Sequence, residues 1–456
     1  MMMNKLNLIC LFFLMIVTDL FANNSDFYKS GREILGEMVA IESTEAMGLA
    51  STVSEYAGTV LLDNGFTSAD IEVVGPTEEA KGLYAIYRGQ SSAEPVIVMA
   101  HIDVVPAVKE SWITDPFKMT EIDGFLHGRG TSDNKAGAAG LIATFAKLRA
   151  EGFIPKNDII MLLTGDEETG MQSIRYFREN YKNVQNAAFA LNSDGGYLTG
   201  TMDDPEAFRL QSAEKVYFSV TLTAKNRGGH SSIPRRDNAI YDLADAIKKI
   251  QQFNFPISLN QTTRATLEFS MKDANDSEKS EMNMILNGIQ KDYKIIEKDP
   301  EMNALTRTTC VATKLEGGHA ENALPVSATA TVNCRLLPQD DSDEVLSIIR
   351  GLAGDEIVVS PITNVRKSPA SPITDEIVEL ISSSIDTTFP GLPIVPTMST
   401  GATDAIELRS NGVPVYGTSA MMTDPTGYRG HGLNERIEIT AFNATLDFWY
   451  AVMKQL

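Results

Sequence analysis

Acidic and histidine residues follow directly on short apolar runs at several widely separated places, and this arrangement restricts the fold more than any other feature of the sequence. The runs at 95–100, 159–163 and 187–191 are too short for helices and are bounded by glycine or polar residues, which is typical of buried strands. Each run is followed within a few residues by a carboxylate. The sequence therefore predicts a sheet whose strands end in groups suited to catalysis or metal binding.

Helical patterns separate these strands. The most regular one runs from Ala136 to Ala150, with Gly152 as its stop. Alternating strand and helix signals favour an α/β fold with helices on both faces of a mixed sheet. Near residue 214 the pattern changes, and apolar and polar residues alternate strictly at 216–222. Such alternation is typical of a sheet with one solvated face, and it predicts a smaller α+β domain inserted into the first.

The N-terminal residues resemble a secretory signal peptide. Lys5 precedes an apolar run from Leu6 to Val17 that is too short to span a bilayer, and a polar shift follows Ala22. We expect this segment to direct export to the periplasm or the medium, and a retained membrane anchor is the alternative. No later segment of the sequence is apolar enough to span a membrane.

The predicted domain boundaries follow from these changes of pattern. The signal peptide is assigned to 1–22, two parts of a catalytic domain to 23–212 and 365–456, and the inserted domain to 213–364. A polar, charge-rich stretch at 271–300 lies within the inserted domain.

Charge and cysteine content restrict the partners. The formal net charge of −21 argues against a nucleic-acid partner, because neutralising phosphates requires a basic face. Cys310 and Cys334 lie on strand-like runs without the spacing of a thiolate zinc site. They either pair in an oxidising compartment or remain buried thiols.

The first motif that carries chemistry is Met99-Ala-His-Ile-Asp-Val-Val-Pro106. His101 and Asp103 are two residues apart at a strand end, so their side chains point the same way. A carboxylate in this position can accept the second imidazole N–H, which fixes the tautomer and raises the basicity of the metal-binding nitrogen.

Further carboxylates lie in three motifs. Asp133 is in a glycine-rich loop before the long helix, where it either caps that helix or bridges two cations. Glu167 and Glu168 follow a buried strand; either they form a solvated acidic turn, or one binds a metal while the other faces a bound water as general base. Asp194 ends another buried strand.

The last motif, Gly430-His431-Gly-Leu-Asn-Glu435, lies far along the chain from the others. Two histidines and several carboxylates form the mixed nitrogen and oxygen ligand set that Zn²⁺ accepts. Two metals about 3.5–4 Å apart can activate one water and polarise one carbonyl.

The order and spacing of these motifs resemble the family of dinuclear zinc exopeptidases and amidohydrolases that includes glutamate carboxypeptidase, carnosinase, aminoacylase-1 and succinyl-diaminopimelate desuccinylase. The resemblance implies two zinc ions, with cobalt or manganese as alternatives. It implies that His101 and Asp194 hold one ion, that Glu168 and His431 hold the other, and that Asp133 bridges both.

The same resemblance assigns the remaining roles near the metals. Glu167 is the general base that deprotonates the bridging water and later passes the proton to the leaving amine, and Asp103 orients His101. The family often has a cis peptide bond after the bridging aspartate, which corresponds here to Asp133-Asn134.

The inserted domain resembles the family's lid, through which its members usually dimerise. His230 matches a histidine that stabilises the tetrahedral oxyanion, commonly in the partner's active site, and a structural turn histidine is the alternative. Asn322 and Arg335 match lid positions that contact substrate, and a guanidinium suits a terminal carboxylate because it binds bidentately. Gly401 lies in a loop that resembles the family's substrate loop, where backbone N–H groups favour an anion.

We therefore expect a zinc-dependent carboxypeptidase or dipeptidase that hydrolyses an amide bond next to a free carboxylate. An N-acyl-amino-acid amidohydrolase uses the same metals and base and is the alternative. A metal-dependent phosphoesterase would require additional Arg or Lys residues, and the metal motifs contain few. The expected partners are a small peptide or N-acyl amino acid as substrate and a second copy of the chain in a homodimer.

Overall fold

The computed structural model describes residues 24–289, 291, 293–362 and 365–456. The predicted signal peptide at 1–22 lies outside these residues. The chain divides into two compact units. The first comprises the described residues up to Leu210 with Ile373–Ile394 and Asn411–Leu456, and the second comprises Gln211–Pro372 and Val395–Ser410.

A mixed sheet forms the centre of the first unit. Its strands, in spatial order, are Ile71–Val74, Gly82–Tyr87, Ile159–Thr164, Val96–His101, Phe189–Asn192 and Val415–Gly417. Val96–His101 is parallel to both of its neighbours, whereas Gly82–Tyr87 is antiparallel to Ile159–Thr164. Pro205–Glu214 and Ile394–Ser399 follow in the same sheet and continue into the second unit, and Tyr197–Gly200 pairs with the former. The predicted α/β class and mixed sheet are confirmed.

Helices flank this sheet. They span 24–40, Ala50–Asp63, Lys135–Ala150, Gln172–Asn180, Lys182–Gln185, Asp375–Ile385 and Ile439–Met453, with a 3₁₀ turn at Lys109–Ser111. Lys135–Ala150 is buried along nearly its whole length because it packs against both the sheet and the C-terminal helix. Its many alanines and glycines permit this close packing, and its first residue directly follows the loop that carries Asp133.

A small second sheet in the first unit brings distant parts of the chain together. Its strands, in order, are Arg436–Glu438, Phe125–His127 and Thr120–Ile122. Arg436 lies opposite His127, so the residues before Arg436 are adjacent to those after His127. This pairing places the His431 motif beside the Asp133 loop.

The second unit is built on a four-stranded antiparallel sheet. Its strands, in order, are Thr309–Gly317, Ser327–Leu336, Val216–Lys225 and Ile357–Pro361, and its covering helices are Ala239–Gln252 and Ser342–Ala353. The alternation predicted at 216–222 is present, with Val216, Phe218, Val220 and Leu222 all buried. A disulfide joins Cys310 to Cys334 on neighbouring strands, which resolves the two alternatives for these cysteines. A separate pair of short strands, Gly229–His230 and Ala323–Leu324, lies outside this sheet.

The stretch around 271–300 forms a compact helical segment. Its helices are Gln261–Ser270, Asp276–Leu286, Lys294–Lys298 and Pro300–Thr306. Asn260 and Asn275 each begin a helix with a capping box, and Leu267, Met282 and Tyr293 belong to a small apolar cluster that is separate from the neighbouring sheet. The two ends of the segment lie next to each other, because the Ser258 N–H donates to the carbonyl of Thr306 over 2.9 Å.

The second unit also includes Val395–Ser410, which the sequence-based boundaries placed in the returning catalytic segment. The physical reason is a buried polar cluster. Arg409 Nη1 lies 3.0 Å from Glu214 Oε2, and Thr403 Oγ1 donates to Glu214 Oε1 over 2.6 Å. Buried charges are stable only when they are paired, so this cluster attaches the segment containing the short helix Ala405–Arg409 to the second unit. Among the described residues, no helix is both long enough and apolar enough to cross a bilayer.

Candidate metal centre

His101 is the last residue of the buried strand Val96–His101, and it faces two carboxylates of the first unit. Its Nε2 atom lies 2.9 Å from Asp133 Oδ1 and 4.0 Å from Asp194 Oδ2. The strand that precedes Asp194 pairs in parallel with Val96–His101, so the ends of both strands reach the same edge of the sheet. Sequence motifs about ninety residues apart therefore meet in one group of metal-binding atoms.

A second group forms around His431. Its Nε2 atom lies 2.9 Å from Glu168 Oε1 and 3.2 Å from Asp133 Oδ2. His431 has a backbone φ of 63°, a left-handed conformation that non-glycine residues adopt rarely and that is typical of functional sites. Asp133 thus presents one carboxylate oxygen to His101 and the other to His431.

The donor atoms fit a pair of divalent cations. His101, Asp133 and Asp194 form one set and Asp133, Glu168 and His431 another, and within each set the ligand atoms lie within 4.8 Å of one another. Ligands about 2.0–2.2 Å from a tetrahedral zinc ion lie roughly 3.3 Å apart, which matches the separations around Asp133. The sharing of Asp133 by the two sets corresponds to the bridging position expected from the sequence.

The electrostatics of the centre favour positive charge. Hydrogen bonds to Asp133 and Glu168 raise the pKa of His431 to about 10. Burial lowers the pKa of His101, but its bonds to Asp103 and Asp133 outweigh burial and raise that pKa well above its usual value. Burial raises the pKa of Asp133, yet hydrogen bonds from the two histidines hold it far below its usual value. The carboxylates therefore stabilise cations where the histidines converge.

Asp103 has two functions in the structure. The Nδ1 atom of His101 lies 3.1 Å from the Asp103 carbonyl oxygen and 3.5 Å from its carboxylate, so Asp103 is placed to orient the imidazole. The same carboxylate accepts the backbone N–H groups of Glu167 and Glu168, over 3.1 and 3.0 Å. This second function was not predicted. It links the histidine to the turn that carries both glutamates.

The Asp133 loop is held by Glu435, whose side chain is completely buried. Glu435 Oε1 accepts the N–H groups of Gly130, Ser132 and Asp133, and its Oε2 accepts from Arg129 Nη1 over 2.6 Å. Burial raises the pKa of Glu435, while the Arg129 guanidinium opposes this shift. The sequence motifs contain both Glu435 and Arg129, but the sequence alone indicated no role for either residue.

The loop is also tightly packed on its other side. The Asp133-Asn134 peptide bond is cis, as the resemblance implied. Ser193 Oγ donates to Asn134 Oδ1 over 2.7 Å. A side chain at Gly137 would collide with both groups, so glycine is required for Ser193, and hence the adjoining Asp194, to approach the loop.

Tyr428 is a further residue of the centre that sequence reasoning missed. Its hydroxyl donates to Asp133 Oδ2 over 2.8 Å. Burial of the hydroxyl among carboxylates, above all Asp133, raises the pKa of Tyr428, so the phenol stays protonated at neutral pH. A tyrosine two residues after the Pro425–Thr426 pair offers no local signal that would have identified it.

The predicted lid residues lie in the second unit. His230 and Asn322 are both exposed, and the strands Gly229–His230 and Ala323–Leu324 bring them together. His230 Nδ1 contacts Ser232 Oγ at 2.8 Å, and the carbonyl of Asn322 accepts the Ser231 N–H. The exposed imidazole of His230 is therefore held by Ser232 through its Nδ1 atom.

Arg335 and Gly401 also belong to the second unit. The Arg335 guanidinium lies 4.8 Å from the centre of the Tyr217 ring, and burial lowers the pKa of Arg335. In the part of the chain that the structure describes, Arg335 contacts the Tyr217 ring and no carboxylate pairs with it. The Gly401 N–H donates to Ser399 Oγ over 3.0 Å, so this amide is already partly satisfied within its own loop.

Comparisons with known proteins identify the family of this chain. The family model described as peptidase family M20/M25/M40 matches residues 97–455. A relative in Homo sapiens, an N-fatty-acyl-amino acid synthase/hydrolase, is 29% identical over 396 residues, covering 83% of this chain and 77% of the relative. Aminoacylase-1 of Homo sapiens is 24% identical over 367 residues and covers 79% of each chain.

Solved structures share the fold. A di-peptidase from Saccharomyces cerevisiae has a TM-score of 0.70 at 16% identity, covering 96% of this chain and 98% of its own. An M20 family metallo-carboxypeptidase from Sulfolobus solfataricus has a TM-score of 0.70 at 20% identity, covering 93% and 98%. A Bacillus subtilis protein described as a dinuclear metal binding peptidase has a TM-score of 0.58 at 11% identity, covering 93% and 98%. This chain belongs to peptidase family M20/M25/M40, and it is a hydrolase whose described residues include two candidate metal-binding sets that share Asp133.

Proposed function

We propose that the chain is a zinc-dependent carboxypeptidase or dipeptidase that cleaves the amide bond next to a free carboxylate in a small peptide. The observation that carries this proposal is the pair of histidine and carboxylate sets that share Asp133, with Glu167 beside them. His101 and Asp194 would hold one ion, Glu168 and His431 the other. Zinc suits this set because it accepts imidazole and carboxylate ligands together.

Glu167 is the proposed general base. When bound, the metal pair lowers the pKa of a water and polarises the scissile carbonyl. The Glu167 side chain lies with His101 and Glu168 in one group of ligand atoms within 4.8 Å, and Asp103 fixes its backbone. A Glu167 carboxylate oxygen accepts the proton of the attacking water and delivers it to the nitrogen of the leaving amine.

Arg335 is the proposed partner of the substrate carboxylate. Its guanidinium is half-buried and oriented by the Tyr217 ring, so little side-chain freedom is lost on binding. Asn322 offers an amide to the substrate, and the loop at Gly401 offers backbone N–H groups. His230 would donate to the oxyanion that develops at the scissile carbonyl.

The alternative substrate class, N-acyl amino acids, is favoured by the names of the two Homo sapiens relatives. It requires the same metals, base and carboxylate contact, and only the acyl side differs. A panel containing a Gly-X dipeptide, an N-acetyl amino acid and an N-fatty-acyl amino acid, assayed on the zinc-loaded protein, separates the two classes.

Each substrate of this panel has a matched control, the same molecule with its terminal carboxylate converted to a carboxamide. We expect the carboxamides to be cleaved far more slowly, because Arg335 then lacks an anionic partner. Equal cleavage of the two forms would refute the free-carboxylate requirement.

We also propose a homodimer formed through the second unit. The edge strand Thr309–Gly317 is exposed along most of its length, with Val311 61% and Leu315 69% exposed, and Tyr241 on the adjacent helix is 60% exposed. An exposed strand edge with apolar side chains is a surface on which a second copy can pair. Light scattering tests the oligomer, and Leu315→Asp should yield monomers.

Whether His230 acts across the dimer is testable by mixing two inactive variants. Glu167→Ala supplies an intact His230, and His230→Ala supplies an intact Glu167. Restored activity on mixing and subunit exchange supports action in the partner's site. A mixture that stays inactive, although mixed dimers form, contradicts it.

Finally, we propose export to the periplasm or the medium after removal of the N-terminal segment. The Cys310–Cys334 disulfide is compatible with an oxidising compartment. Sequencing the N-terminus of the protein recovered from cell fractions tests this, and a mature protein that begins at Met1 in the cytosol would contradict it.

A further inference from the structure

Tyr428 reaches the centre of the metal site from a part of the chain to which the proposed function assigns no role. Its hydroxyl lies 2.8 Å from Asp133 Oδ2, the oxygen that also faces His431. The residue is 73% exposed, so the ring approaches from the open side of the first unit while only its hydroxyl end lies among the carboxylates.

The residue two positions after Tyr428, Gly430, leaves space for this approach. The Tyr428 side chain folds back across Gly430, and a Cβ at that position would collide with its hydroxyl and would lie 2.9 Å from Asp133 Oδ2. Glycine at 430 therefore leaves the space through which the phenol reaches Asp133.

The loop before Tyr428 is held by an ion pair. Asp424 accepts from Arg436 Nε over 2.6 Å, and Arg436 belongs to the small three-stranded sheet. The Thr426 N–H donates to Asp424 over 2.8 Å, and Arg429 Nη2 donates to Thr426 Oγ1 over 2.7 Å. These bonds fix the residues on both sides of Tyr428, so the position of its hydroxyl is set by the fold.

The side-chain contacts of Asp133 differ in whether metal binding would replace them. His101 and His431 contact Asp133 through the same Nε2 atoms that would face the metal ions, so coordination would replace these contacts. Tyr428 is not one of the proposed metal ligands, and a carboxylate oxygen that faces a cation has a second lone pair with which it can accept a hydrogen bond from this hydroxyl. Of the side-chain hydrogen bonds to Asp133 described here, the bond from Tyr428 is thus the one that persists with metal bound.

We propose that Tyr428 is a positioning residue of the metal site, whose hydroxyl holds the carboxylate of Asp133 in the orientation that bridges two cations. The inference rests on the proposed ligand role of Asp133 and is independent of the substrate. Groups that orient metal ligands in this way typically change metal affinity by about 10–100-fold when they are removed.

The test compares Tyr428→Phe with Tyr181→Phe. Tyr181 makes the same kind of bond in the first unit, from its hydroxyl to Glu72 over 2.8 Å, without contact to a proposed ligand. Affinities for Zn²⁺ and Co²⁺ are measured by competition with a chelator, and the visible absorption of the Co²⁺ form reports ligand geometry. Circular dichroism and thermal unfolding of the chelator-treated proteins check that both variants fold.

We expect Tyr428→Phe to bind the metals about 10–100-fold more weakly with an altered Co²⁺ spectrum, and Tyr181→Phe to match the wild type. Unchanged affinity and spectrum in Tyr428→Phe would overturn the inference, as would an equal loss in Tyr181→Phe. A wild type that binds two metals but cleaves no substrate of the panel would instead refute the proposed function and leave this result intact.

Discussion

In the first unit the proposed ligand side chains are bonded mainly to one another, and all of them except the exposed His431 are buried or half-buried, with His101 and Asp133 only 2% and 8% exposed. In the second unit, His230 and Asn322 are both exposed. A buried carboxylate or imidazole is stable only with hydrogen-bonding partners. The proposed ligands of the first unit provide these partners for one another, and this fixes their orientations. The second unit leaves Arg335 without a carboxylate partner among the described residues. The difference is consistent with the proposal that the chain itself orders the metal-binding side chains, whereas Arg335 gains a carboxylate partner only from the substrate.

Asp133→Ala gives the strongest test of the proposal that the first unit orders its own metal ligands. Because both sets of ligand atoms share Asp133, its removal should abolish binding of both ions and all activity. Elemental analysis after gel filtration measures the metal content, and Asp63→Ala, an exposed acid in the same unit, is the control. Retention of two ions per chain in the Asp133 variant would contradict its bridging role.

Glu167→Ala separates chemistry from metal binding. Loss of a general base should lower kcat by about 10²–10⁴-fold, while metal content stays that of the wild type. Steady-state kinetics and elemental analysis on the same preparation measure both quantities. Full activity in a variant that retains its metals would refute the base assignment.

Glu435→Gln tests whether the order of the first unit depends on a buried charge pair. The substitution leaves Arg129 buried without a charged partner, so we expect a loss of roughly 3–5 kcal/mol in the free energy of unfolding. Denaturant unfolding measures it, with Glu121→Gln on an exposed strand position as control. Equal stability of the two variants would show that hydrogen bonding alone holds the loop.

Arg335→Ala tests the second unit, where we expect weaker substrate binding and, unlike in Glu435→Gln, no loss of stability. Charge-assisted hydrogen bonds contribute about 1.5–3 kcal/mol, so KM should rise by roughly 10–100-fold with metal content and stability unchanged. The carboxamide forms of the substrates should show no such difference between wild type and variant. A fall in stability instead of a rise in KM would assign Arg335 a structural role.

The smallest expected effect concerns pH and the second unit. Burial lowers the pKa of Lys215 to about 7, below its value in the unfolded chain. Between that pKa and about 10.5 the unfolded state binds more protons, so this lysine makes stability rise with pH in that range. The stability difference between wild type and Lys215→Met, measured by thermal unfolding at pH 7 and pH 9, should therefore change with pH, and parallel curves would contradict this.

The strand ends that carry His101 and Asp194 could be predicted because the relevant signals are local, whereas the ligand roles of these residues were implied by the resemblance to a family. A buried strand that ends in His101 or Asp194 is visible within ten residues, and the strand register then brings the ends together. Tyr428 could not be found this way, since 295 residues separate it from Asp133 and its bond depends on the fold of a loop. The same applies to Arg129 with Glu435, 306 residues apart.

The second unit was predicted less completely. The strict alternation at 216–222 identified its sheet, but the attachment of Val395–Ser410 depends on the buried pair of Glu214 and Arg409, which no periodicity reveals. The helices between 261 and 306 were not predicted from the sequence, because their apolar residues are sparse and form only a small separate cluster.

That helical segment begins and ends at one point, where Ser258 and Thr306 are hydrogen-bonded. Its contacts with the neighbouring strands come from Thr262, Thr266 and Ala304, which lie near its two ends. We therefore expect the part between them, around 271–300, to tolerate shortening, lengthening or exchange without displacing the strands. In evolution and in protein engineering, it is therefore a place where this chain can acquire new surface while its metal ligands remain unaltered.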